Sequence, residues 1–181
     1  MNSPWTIDVL LPCPGWIELC PATASLARSA AEVALARGTT ALGLAWQGPV
    51  ELGITLSDAA EQRRLNREYR GQDSPTNVLA FAAWEPGTCL PPGAPVLLGD
   101  VVLAIESVFQ EAVEQNKPLA DHLRHLTVHG VLHLLGCDHL TQAEAEIMES
   151  LERLILAELG VPDPYRDTIS ALAEPAAAVH P

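Results

Sequence analysis

Apolar positions that alternate, and others that recur at helical spacing, divide the chain into strands at the front and helices at the back. "TIDVLL" from Thr6 reads as a first strand, and "VELGITLSD" from Val50 alternates as a second. "NVLAFA" from Asn77 is a short apolar run, placed as a central strand, and "LLGDVVLAIES" from Leu97 is a fourth. In "PATASLARSAAEVALARG", Leu26, Ala30, Val33 and Ala34 share one helical face, and Gly38 reads as the stop. "SDAAEQRRLNREYRG" predicts a helix capped by Ser57 or Asp58, with Glu61 in its first turn and Gly71 at its end. A helix follows around residues 105–116. Pro118 suits the first position of the next one, which runs to about Leu135 and stops at Gly136. The last helix opens on a Thr141–Glu144 capping box, carries an apolar stripe of Ile147, Leu151, Leu154 and Ile155, and ends at Gly160 and Pro162. The proline-rich stretches 12–21 and 86–95 read as loops. Leading strands and a helical second half predict an α+β domain.

Composition narrows this. The 181 residues are 48% hydrophobic without an apolar run long enough to span a bilayer, so one domain is expected over residues 1–166 and no membrane association. Residues 167–181, with the low-complexity "ALAEPAAAVHP", are expected to be a disordered tail. The N-terminus has no basic run and carries Asp8 early, unlike a secretory signal. Cys13, Cys20, Cys89 and Cys137 form no CxxC pair, which favours a reduced, cytoplasmic setting. The net charge of −13 argues against nucleic acid as a general partner, and DNA is not expected. Four of the ten basic residues nevertheless fall together at Arg63, Arg64, Arg67 and Arg70. They form either a solvated helix face or a small basic patch for one local anionic substrate.

The densest chemistry is "HGVLHLLGCDH", residues 129–139. His129 and His133 are four apart on a helix and point the same way, so they can share one metal ion. His122 and His125 lie on the same stripe, all four within about 80° of arc. His125 is a poor third ligand, because it stands about 12 Å along the axis from His133. Gly136 offers a better route: in a left-handed conformation it ends the helix, and His139 returns to face the pair. Three imidazoles leave a tetrahedral position open, the catalytic pattern for zinc. The spacing matches the extended zinc-peptidase motif, except that Gly130 replaces the glutamate that serves as general base there.

"HGVLHLLGCDH" resembles the signature of the YbeY family of bacterial metallo-endoribonucleases. "LNREYRGQDSPTNVLAFA" (Leu65–Ala82), "LLGDVVLA" (Leu97–Ala104) and the closing "DPY" (Asp163–Tyr165) resemble further family segments in the same order. The resemblance spans roughly residues 50–166. It departs at Cys137, where tyrosine is common, at Ala80 and Ala82, where serine and proline are usual, and at Asn77, often aspartate. It implies a zincin-like single domain, a small mixed sheet packed with helices and a His-x3-His pair on a central helix. It also implies one Zn²⁺ on His129, His133 and His139, and single-strand-specific RNA cleavage in 16S rRNA 3′-end maturation and ribosome quality control. The partners would be single-stranded RNA and the small ribosomal subunit. The family's important arginine falls on Arg70.

Within that expectation, His129 acts with the metal. Arg70 suits the developing phosphate charge, and Arg63 and Arg67 are RNA-binding candidates beside it. Asp138 orients a histidine, accepts a proton or caps a turn; His125 is a proton carrier or a structural histidine. Cys137 is a weaker candidate for a fourth ligand. Trp84 and Tyr69 are read either as stacking platforms for bases or as packing. Two other functions fit less well: a metallopeptidase-like hydrolase, and a non-catalytic, zinc-stabilised ribosome-assembly factor.

Overall fold

Alternation builds the sheet. In the computed structural model, which describes residues 4–166, the strands are β1 (Trp5–Leu10), β2 (Val50–Ser57), β3 (Val78–Ala82) and β4 (Val96–Ala104). They lie in the order β1-β2-β4-β3; β1, β2 and β4 run parallel, and β3 is antiparallel to β4. In β2, Val50, Leu52, Ile54 and Leu56 are buried while Glu51 is exposed. In β4 the buried set jumps from Val96 and Leu98 to Val101 and Leu103. The jump marks a bulge, where the register slips between Glu51 and Leu52 and Gly99 takes φ = 128°. "NVLAFA" is therefore an edge strand, not a central one. Leu79 is fully buried, but Val78, Ala80 and Phe81 are only half-buried. A short apolar run reads alike whether a strand or a helix covers it.

The helices are α1 (Gly15–Leu19), α2 (Thr23–Leu42), α3 (Ala59–Arg70), α4 (Ile105–Glu114), α5 (Leu119–Leu134) and α6 (Gln142–Glu158). Together these elements make one mixed α/β domain, with a four-stranded mixed sheet and six helices among the described residues. α5 is central: it packs on β3, β4, α2, α4 and α6. The expected tail, 167–181, lies outside the described residues.

Several expectations need correction. Residues 12–21 include α1, whose Trp16 is wholly buried and donates its indole N–H to Ser57 O at 2.9 Å. α2 does not stop at Gly38 but continues to Leu42 and ends at Gly43, φ = 65°. Gly38 serves packing instead: a Cβ there would lie 2.5 Å from Leu135 Cδ1. α2 turns Ala27, Ala30, Ala31, Ala34 and Leu35 inward, leaving Leu26 and Val33 half-buried. Pro118 caps α5 from the residue before it rather than occupying its first turn. α6 begins with the expected capping box, but its inward face is Met148, Glu152, Ile155 and Leu156. Ile147 and Leu154 are 58% and 55% exposed. The helix carries two apolar stripes, and the inward one contains a charge.

α5 approaches the sheet at Gly130, where a Cβ would lie 2.6 Å from Cγ1 of the fully buried Val101. Gly130→Ala gains about 1 kcal/mol of helix propensity. It also forces a methyl into a closed contact, at about 1–3 kcal/mol. Because Val101 sits in the sheet and has no free space to move into, a net loss is expected. It would be read as a lower thermal midpoint; a raised midpoint would contradict this account of the contact.

Candidate metal centre

One turn of α5 separates His129 from His133, and their Nε2 atoms come within 3.0 Å. Gly136 then takes φ = 94°, and its N–H donates to His133 O at 3.0 Å. Any side chain at 136 would strike Pro86, whose Cγ lies 2.5 Å from the position of a Cβ. Past this turn His139 faces the pair, its ring centroid 5.8 Å from that of His129 and 5.1 Å from that of His133. One nitrogen from each of the three rings lies within 4.8 Å of the others.

Hydrogen bonds on the far side of two rings decide which nitrogen is bare. His133 Nδ1 meets the Cys137 carbonyl at 3.0 Å, and His129 Nδ1 meets Glu152 Oε1 at 2.6 Å. A carbonyl and a carboxylate accept only, so both Nδ1 atoms carry the proton and both Nε2 atoms present lone pairs. Two lone pairs 3.0 Å apart repel unless a cation lies between them. Ligands about 2.0–2.1 Å from one tetrahedral ion stand about 3.3 Å apart, so the pair fits a shared metal. Burial above all, with His129 and His139 close by, lowers the His133 pKa, which favours the neutral ring that a metal ligand needs.

Glu152, on α6, is fully buried. Besides His129 it meets His125 Nε2 at 3.3 Å and the Tyr165 hydroxyl. Burial alone would raise its pKa; hydrogen bonds from His125 and His129 outweigh burial and hold it at about 2. A carboxylate buried this deeply needs positive charge nearby, and a divalent cation held by His129 would supply it.

A cavity of about 510 Å³ opens over the three histidines. Arg70, Asn77, Gly130, Cys137 and Asp138 also line it. Arg70 is exposed and makes none of the ion pairs found among the described residues. Arg63 is held by Asp73 through two 2.8 Å contacts, Arg67 lies 3.8 Å from the same carboxylate, and Arg64 bridges Glu61 and Glu68. Of the basic cluster, then, only Arg70 reaches the cavity. Asp138 caps the turn, accepting from His139 N at 2.8 Å. Burial pushes the Cys137 thiol up and keeps it protonated, and the thiol is outside the ligand group. His125 stands behind Glu152 and does not line the cavity. Trp84 is 6% exposed and packs edge-on against Trp46, which excludes it as a stacking platform. Tyr69 is 64% exposed but rests against Phe81, away from the cavity lining.

The sequence model of the family described as endoribonuclease YbeY matches residues 23–160. The chain belongs to this family. It is 51% identical over 160 residues to the endoribonuclease YbeY of Paramagnetospirillum magneticum, covering 88% of this chain and 94% of that protein. It is 50% identical over 154 residues to that of Rhodospirillum rubrum, covering 84% and 77%. The solution structure of TM1509 from Thermotoga maritima superposes with a TM-score of 0.54 at 22% identity, covering 96% of this chain and all of that one, a likeness of fold. The family match begins at the first residue of α2, well before Val50, so the N-terminal part carries more of the family than its motifs suggest.

Three further residues, none of them lining the cavity, brace the elements around it, and the sequence patterns did not single them out. Gln62 is fully buried and donates to Val102 O at 3.1 Å, fixing α3 on β4. Asn66 donates to Ser74 O at 2.8 Å, shaping the loop after Arg70. Glu111 accepts from Asn77 at 3.0 Å and from His122 Nε2 at 2.7 Å, tying that loop to α4 and α5. Gln62 and Asn66 share one face of α3 at four-residue spacing, and Glu111 adjoins the buried Ala112 on α4; that placement was the available sign.

His122 is 3% exposed. Burial lowers its pKa below the ordinary 6.5, and Glu111 offsets this only in part. The unfolded chain takes up the proton near 6.5 while the folded protein resists it. This contribution is therefore constant above that pH, and stability falls as pH drops below it. Denaturant midpoints of the metal-free protein at about pH 7.5 and about pH 5.5 should differ, and His122→Gln should shrink the difference. An unchanged difference would contradict this assignment.

Proposed function

We propose that the protein is a zinc-dependent, single-strand-specific endoribonuclease that matures the 3′ end of 16S rRNA and acts in ribosome quality control. The reading rests most heavily on one observation: two bare Nε2 atoms 3.0 Å apart, joined by His139 and facing a cavity lined by Arg70, which makes no ion pair among the described residues. His129, His133 and His139 would hold one zinc ion, in a zincin-like arrangement. When bound, zinc supplies a Lewis acid for a phosphoryl oxygen and lowers the pKa of a water. Arg70 binds the scissile phosphate with two donors and takes up its developing charge. Asp138, on the cavity wall, is the carboxylate placed to accept a proton, while His125 acts from behind through Glu152. Arg63 and Arg67, held by Asp73, extend the basic edge along which an RNA backbone runs. The substrate belongs to the small ribosomal subunit, and the setting is the cytoplasm. No helix among the described residues is long and apolar enough to cross a membrane.

A peptidase reading lacks its base. Position 130 is wedged against Val101 and Val78, so no glutamate fits there without moving the sheet. The test is an end-labelled RNA with paired and unpaired segments, beside single-stranded DNA and casein. Cuts confined to unpaired RNA, lost with a chelator and restored by zinc, are expected. Casein cleavage without RNA cleavage would favour the peptidase; no cleavage of any substrate, with unfolding on zinc removal, would favour a non-catalytic assembly factor.

A further inference from the structure

His129 is oriented by Glu152, so Glu152 itself must be held. Its Oε1 is engaged by His129 at 2.6 Å. Its Oε2 has a long contact to His125 at 3.3 Å and the hydroxyl of Tyr165. Without Tyr165, one oxygen of a fully buried carboxylate would rest on that long contact alone, free to rotate away from His129.

The segment carrying Tyr165 is pinned at several points. Tyr165 N donates to Asp163 Oδ1 at 2.9 Å, and Arg153 lies 3.4 Å from the same oxygen. Lys117 donates to Pro164 O at 3.2 Å. The Arg153 guanidinium covers the Tyr165 ring at 5.0 Å, and His125 meets that ring edge-on at 5.7 Å. These contacts aim one hydroxyl at Glu152. A phenol adds a donor without adding a charge, which suits an anion already facing two histidines.

We propose that Tyr165 is a positioning residue of the metal centre: its O–H locks Glu152, and Glu152 in turn holds His129 with Nε2 bare toward the ion. The Asp163–Tyr165 segment is then part of the centre, not only the end of the domain. The inference rests on reading His129, His133 and His139 as zinc ligands.

Tyr165→Phe removes the hydroxyl and keeps the ring under Arg153. Zinc dissociation constants are measured on stripped protein by competition with a chromophoric chelator, and the His129 tautomer is read from imidazole ¹⁵N shifts of the metal-free protein. Tyr165→Phe should weaken zinc binding about tenfold, at the low end for partners of ligating histidines. The wild-type His129 should be Nδ1-protonated, and the variant should show a mixture of tautomers. In a Glu152→Gln background Tyr165→Phe should add little, because both act along one path. Zinc affinity within twofold of wild type with an unchanged tautomer would make Tyr165 a packing residue and overturn the inference. Failure of the wild type to bind zinc would instead overturn the reading of the three histidines, and the inference with it.

Discussion

Replacing His133 with alanine is expected to abolish zinc binding and RNA cleavage while leaving the fold intact. Its ring spans two jobs. Nδ1 donates to the Cys137 carbonyl and steadies the turn, while Nε2 faces His129 at 3.0 Å. Losing a partner behind a ligating histidine costs about 10–100-fold in metal affinity or activity. Losing a ligand should exceed about 100-fold, since two imidazoles cannot complete a three-ligand site. The ring is only half-buried and lines an open cavity, so its removal opens no closed void in the core. Metal analysis should fall from one zinc per chain to near zero, and cleavage to the rate of stripped protein. Circular dichroism should stay that of the wild type. A His133→Ala protein that keeps its zinc would remove this residue from the centre.

The second large effect separates chemistry from metal binding. Arg70→Ala should retain one zinc and lose about 10²–10³ in kcat, the cost of deleting one donor aimed at developing charge. Arg70 ends α3 just before Gly71, which closes the helix at φ = 68°. With no ion pair to break among the described residues, the substitution removes an exposed guanidinium and little stability. Arg63→Ala should act differently: it breaks an exposed pair with Asp73, worth little in stability. Its effect should appear in KM and salt dependence rather than kcat. Equal losses in both variants would mean that Arg70 only attracts RNA.

The three histidines were legible because their spacing is a local rule: a helix repeat, a glycine turn and a return. The capping of α3 and α6 was legible for the same reason. The contacts of Glu152 and Tyr165 were not, although the closing "DPY" marked Tyr165, because their partners lie 13 to 40 residues away along the chain. The α6 stripe shows the limit most directly. Ile147 and Leu154 follow the better apolar pattern, yet the inward face is the one carrying Glu152. Apolar periodicity cannot recognise a buried charge whose partner is a histidine on another helix. Gly38 and Gly130 each have a packing role that local rules do not show. Local rules read the first as a stop and the second as a missing base, whereas both allow close packing of α2 and of the sheet on α5.

The most direct test of a zinc centre that cleaves RNA is a titration. Metal-free protein receives zinc stepwise while cleavage of an unpaired RNA is followed. Activity should be absent at the start, rise in proportion to zinc and level off at one equivalent per chain. Full cleavage by metal-free protein, or cleavage indifferent to added zinc, would contradict the account.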